Sequence, residues 1–108
     1  MKTLRLSFME KSVAFDEVKR AMEARGFQQL DGDLTSQQLT GLKRERGIDR
    51  LLHIDILEVK TDLQIQWDVR TVGLEIRKHR KNRIEELLFE RKLRHQLMAN
   101  KGRSEAVA

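Results

Sequence analysis

With 108 residues the chain has room for one compact core, and having no cysteine it cannot build disulfides, thiolate metal sites or a cysteine nucleophile. Its apolar runs stop at two or three residues. That is short of the roughly 7–15 a secretory leader needs and the roughly 20 a membrane span needs, so a cytoplasmic protein is expected. The 22 basic and 17 acidic side chains give a net charge of +5, and the excess sits at one end: residues 1–76 hold 12 basic and 13 acidic groups, residues 77–108 hold 10 and 4.

Leu4, Leu6 and Phe8 alternate with Thr3, Arg5 and Ser7, a period of two that predicts a half-buried strand over 3–9. Ser12 is placed to cap a helix over 13–25, on which Phe15, Val18 and Met22 form one apolar stripe. Gly26 stops that helix, since glycine enters the left-handed cap conformation without a Cβ penalty. Gln28–Leu30 reads as a short strand and Asp31-Gly32-Asp33 as a turn. Thr35 and Gln38 then have the spacing of a reciprocal cap, and with Leu39 and Leu42 they predict a short helix over 36–46, weakened by Gly41.

From Ile48 the period returns to two. Leu52, Ile54 and Ile56 share one face and Leu51, Leu57 and Val59 the other, the pattern of a strand interior to a sheet. After Lys60-Thr61-Asp62, the residues Leu63, Ile65, Trp67 and Val69 alternate with Gln64, Gln66, Asp68 and Arg70, which makes 50–59 and 63–70 a hairpin. Residues 71–77 fit either a third strand or a helix start. A long helix is expected over 79–100, followed by a disordered tail over 101–108.

This last helix has two apolar stripes. Ile84, Leu87, Leu88 and Met98 lie on one side, with Phe89, Leu93 and Leu97 roughly opposite. One stripe suffices to dock a helix on a sheet. The Phe89, Leu93 and Leu97 stripe is therefore assigned to a partner, either a second copy of the chain or an acidic protein.

The helix also carries the charge. Arg77, Lys78, Arg80, Lys81 and Arg83 put five cations in seven positions, and Arg91, Lys92 and Arg94 extend them. Phosphate binding draws on such density, because each neutralised phosphate releases counterions. These eight residues are the candidate nucleic-acid contacts, for DNA or RNA. Aromatic residues are scarce, which argues against base stacking.

Other constellations carry less. His53 and Asp55 share a strand face but lack further metal ligands at a fitting spacing. Asp31, Asp33, Asp55, Asp62 and Asp68 would make a catalytic carboxylate set only if the sheet brought them together, as a small metal-dependent ribonuclease would require. Gln64, Gln66, Asp68 and Arg70 on a strand followed by a helix resemble the base-reading ribbon of ribbon-helix-helix regulators, though those have two helices after the strand. Small nucleases of comparable outline place a carboxylate at the end of the first strand, where this chain has Ser7-Phe8-Met9.

The expected protein is thus a single α+β domain over 1–100, with an outline that resembles a ferredoxin-like or split β-α-β layout. Its expected role is non-enzymatic: a regulatory or accessory nucleic-acid-binding homodimer, without metal or cofactor. The alternative is a protein-binding module such as an antitoxin, adaptor or inhibitor, using the long helix.

Overall fold

The alternation at the N-terminus builds β1 (Lys2–Ser7), with Leu4 and Leu6 packed against the core and Thr3 and Arg5 outward. The computed structural model describes residues 1–7, 9–72 and 79–107. Helix α1 (Lys11–Ala24) buries Ala14, Val18, Ala21 and Met22, a helical stripe as the sequence implies. Ser12 does not cap it. The N-cap is Glu10, in extended backbone and without a capping side-chain bond, and the first helical residue, Lys11, pairs with Glu58 at 2.8 Å.

Past Gly26, at φ 85°, the chain makes four consecutive antiparallel strands: β2 (Gln28–Asp33), β3 (Gln38–Glu45), β4 (Ile48–Val59) and β5 (Asp62–Thr71). The sheet order is β1-β5-β4-β3-β2, so α1 carries the chain from one edge to the other and the meander brings it back. The fold is α+β. Every neighbouring pair is antiparallel, so the parallel pairing of a split β-α-β unit is missing and the ferredoxin-like resemblance does not extend to topology. β4, apolar on both faces, occupies the centre.

The segment expected to be a helix over 36–46 is β3 instead. Asp33 and Ser36 close a turn between themselves: the Ser36 N–H donates to Asp33 Oδ1 at 2.7 Å and the Ser36 hydroxyl donates to the Asp33 carbonyl at 3.1 Å. Thr35 and Gln38 therefore never form a reciprocal cap. Beyond the turn, Leu39 and Gly41 face the core and Gln38 and Thr40 face out. Gly41 lies directly beneath α1. A Cβ there would stand 2.7 Å from Met22 Sδ and 2.9 Å from Phe27 Cβ, so the glycine that weakens a helix is what lets helix and strand touch.

The β3–β4 connection is Arg46-Gly47, with φ of 55° and 77°, the signature of a two-residue type I′ hairpin turn. The β4–β5 connection, Lys60-Thr61, also begins at positive φ, 59° at Lys60.

Helix α2 (His79–Val107) runs unbroken past the expected boundary at residue 100 and packs on β5 and α1. Residues 73–78, where the sequence left strand and helix open, lie outside the described residues. The two helices cover one sheet face around Trp67, Phe27, Phe89, Leu93 and the inward residues of β4 and β5; the opposite face has no layer over it among the described residues.

Replacing Gly41 with alanine is expected to push Met22 and Phe27 off the sheet. The cost should be about 1–3 kcal/mol, the usual range for overpacking, read as a lower urea midpoint with an unchanged slope.

Candidate anion-binding surface

The seating of α2 decides which of its side chains are free to bind anything. Phe89 and Leu93 are fully buried, and Leu97 packs partly against the same core. Phe89 meets the Trp67 ring edge-on, with centroids 5.2 Å apart at 68°. This stripe holds the helix to its own sheet, so its assignment to a partner is overturned. Ile84, Leu87 and Met98 face outward, at 44%, 46% and 73% exposure.

The two stripes exchange roles because of polar side chains on the buried side. The Trp67 indole N–H donates to the Glu86 carbonyl at 3.2 Å, and the Val69 backbone N–H donates to Glu86 Oε2 at 3.1 Å. β1 reaches only Trp67 along β5, so Glu86 supplies the acceptor where the edge strand has ended. Glu85, 2% exposed, accepts from Lys43 Nζ at 3.0 Å and from Arg25 Nη2 at 3.3 Å, tying α2 to β3 and to the end of α1. Lys43 also sits 5.5 Å from the Phe27 ring centroid, a cation–π distance.

The cationic residues of α2 spread over what remains. Arg80, Lys81, Arg83, Arg91 and Arg94 are exposed and Lys92 is half-buried. Arg94 pairs with Glu90 at 3.8 Å. Arg83 lies on the β1 side with Met1, Lys2 and Leu87, whereas Arg80 and Lys81 lie on the β3–β4 side. Arg77 and Lys78 lie outside the described residues.

Arg80 and Lys81 line a groove of about 420 Å³, together with Ile84 of α2 and Glu45, Arg46, Ile48 and Arg50 of the hairpin. Arg50 is the unexpected member. It is 4% exposed, and its Nε donates to Asn82 Oδ1 at 3.1 Å; Asn82 is itself buried and also accepts from the Thr71 hydroxyl. Among the described residues no carboxylate lies within 4.0 Å of Arg50. Its cross-strand neighbour, Lys43, is a second cation whose charge Glu85 balances. A buried cation without a counter-charge is costly. Arg50 escapes a reading of the sequence because an isolated arginine at the start of an apolar strand carries no local signal; Arg46, next to a turn glycine, had one in its position.

At the hairpin end Arg44 grips Asp49 through two bonds, Nε–Oδ1 at 2.6 Å and Nη2–Oδ2 at 3.0 Å. Arg44 holds the Asp49 carboxyl below the usual carboxylate range, chiefly through this hydrogen bond, and its own pKa is raised in return.

The uncovered sheet face resolves the remaining candidates. His53 Nδ1 shares a hydrogen bond with the Thr40 hydroxyl at 3.3 Å, and its Nε2 lies 3.3 Å from Asp55 Oδ2. Across the strands Asp55 faces Gln38 and Gln66, Asp68 faces His53, Asp62 faces Ser7 and Val59, and Asp31 and Asp33 face Thr40 and Gln38; no two of the five aspartates are register partners. No cluster of three or more His, Cys, Asp or Glu able to hold a metal occurs among the described residues. Gln64, Gln66, Asp68 and Arg70 lie on a strand flanked by β1 and β4, not on a free two-stranded ribbon. Among the described residues no helix is long and apolar enough to cross a membrane. No known protein family matches the chain, and no curated protein matches it in sequence.

Asp49 supplies a pH-dependent contribution with a definite sign. Its folded-state pKa is depressed, so the stabilisation is present above the ordinary carboxylate value of about 4 and is lost as pH falls through the folded value. Thermal unfolding from pH 6 down to 2 should show a smaller acid-side loss in Asp49→Asn than in the parent, and identical slopes would refute the contribution.

Proposed function

We propose that this chain is a non-enzymatic nucleic-acid-binding protein of regulatory or accessory type, contacting phosphates through the cationic outer surface of α2. What supports the reading is that the seam holding α2 to the sheet uses Asn82, Glu85, Glu86, Phe89 and Leu93 and consumes none of Arg80, Lys81, Arg83, Arg91 or Arg94. Those side chains stay at the surface of a helix that already has its fold-stabilising contacts. Exposed arginines offer planar forks to phosphate oxygens, and their attraction is sequence-independent and screened by salt.

Fluorescence anisotropy with labelled duplex DNA, single-stranded DNA and RNA over a salt series tests this. Affinity should fall linearly in log–log salt. The triple variant Arg80→Ala/Lys81→Ala/Arg83→Ala should flatten the slope by roughly 0.7–0.9 for each phosphate it no longer neutralises. Absence of binding at low salt to all three probes would sink the proposal.

The outward apolar residues favour a second component, a homodimer or an acidic protein partner. Ile84, Leu87 and Met98 fall among Arg80, Arg91 and Arg94 on the outer face, and Met1 and Leu87 border the same side cleft. A second copy meeting along Leu87 would cover them. Light scattering of Leu87→Glu should give the monomer mass where the parent gives twice that value; a monomeric parent at all concentrations would remove the homodimer.

A further inference from the structure

We infer that the groove between the β3–β4 turn and the start of α2 is a discrete phosphate-binding site, with Arg50 as its fixed ligand and Arg46, Arg80 and Lys81 around it. The inference rests in part on the proposed function, which makes α2 a phosphate-contacting surface, but it adds Arg46 and Arg50, which the sequence did not mark, and a ligand of definite charge.

Two observations converge on it. The first is Arg50 itself. Asn82 fixes its Nε, burial fixes its stem, and among the described residues no carboxylate neutralises it. A guanidinium held this way keeps its terminal nitrogens oriented before any ligand arrives, the condition under which two parallel N–H···O bonds to one oxyanion form at low entropic cost.

The second is the charge of the lining. Arg46, Arg50, Arg80 and Lys81 face one carboxylate, Glu45, which leaves a local excess of three positive charges. A single carboxylate ligand would leave most of that unbalanced, whereas a phosphate monoester, with a charge of about −2, offsets more of it and a pyrophosphate more again. Glu45 Oε2 is itself buried, 3.9 Å from Lys43 Nζ, so it is turned to that cation and not open to the ligand.

The backbone at Arg46 supplies a means of testing the site. A long side chain gains nothing from φ 55°, where asparagine or glycine is the unstrained choice for the first position of this turn. Lys60 holds the same position of the β4–β5 turn at φ 59°, so what Arg46 brings to the groove is its charge at the mouth, and its turn conformation serves as an independent readout.

The phosphate could belong to a nucleic-acid chain running over α2, whose diesters bring one charge each, or to a small phosphorylated molecule with a more highly charged group; both present phosphate oxygens to the groove. The experiment titrates the full-length, isotope-labelled protein with inorganic phosphate, pyrophosphate, succinate at matched ionic strength, and a single-stranded oligonucleotide. Amide shifts of Arg46, Gly47, Ile48 and Ile84 are followed. Saturable shifts with pyrophosphate or the oligonucleotide, and none with succinate, are expected.

Arg46→Asn should raise the unfolding midpoint, because it relieves the turn, and yet weaken binding by about tenfold, the effect of removing one charge-assisted hydrogen bond. A purely structural Arg46 would not separate those two readouts. Arg50→Gln should abolish the shifts; if that variant does not fold, Arg46→Asn and the exposed Arg80→Ala carry the test. Pyrophosphate binding without oligonucleotide binding would uphold the site and overturn the nucleic-acid reading. Oligonucleotide binding of parental strength in Arg46→Asn and Arg80→Ala, with no groove shifts for any anion, would overturn the site and leave that reading intact.

Discussion

Everything on the helical side of the sheet depends on where α2 sets down, and that is fixed by carboxylates rather than by hydrocarbon alone. Glu86 takes the Val69 N–H where β1 no longer covers β5, and the backbone of the same residue receives the Trp67 indole. Beside it in sequence, Glu85 joins β3 and α1 through Lys43 and Arg25. A buried charge is tolerable only with partners at hydrogen-bond distance, so these contacts admit one rotation of the helix and few others. Trp67 against Phe89 then fills the space beneath.

That rotation also partitions the positive charge. With Asn82, Glu85, Glu86, Phe89 and Leu93 turned inward, the arginines and lysines between them have nowhere to go but outward or to the flanks. The flank towards the β3–β4 hairpin meets Arg46 and Arg50, and a cationic groove results from two segments far apart in sequence. The opposite sheet face is of another kind. There Arg70 bonds Asp68 along β5, and Thr40 bonds His53 across β3 and β4, with Asp55 3.3 Å from the same imidazole.

The β3 strand shows how a local signal misleads when a tertiary contact outweighs it. Thr35, Gln38, Leu39 and Leu42 have helix spacing, and Gly41 looks like a flaw in that helix. The flaw is the requirement: α1 crosses so close that Met22 and Phe27 occupy the place of a Cβ. Propensity differences of a few tenths of a kcal/mol per residue cannot resist the burial of Leu39 in a strand paired with β4.

Periodicity by itself determined the first strand, α1, the β4–β5 hairpin and a long cationic helix, because in each the alternation of apolar residues matches the period of the element. It determined the α+β class for the same reason, while a count of charged residues placed the positive excess at the C-terminal end. The sheet order, the identity of β3, the face on which α2 docks and the convergence of Arg46 and Arg50 with Arg80 and Lys81 were decided only by tertiary structure. Each turns on a contact between residues far apart in sequence (Gly41 with Met22, Glu86 with Val69, Arg50 with Asn82), and no local pattern encodes a polar side chain whose partner lies on another element.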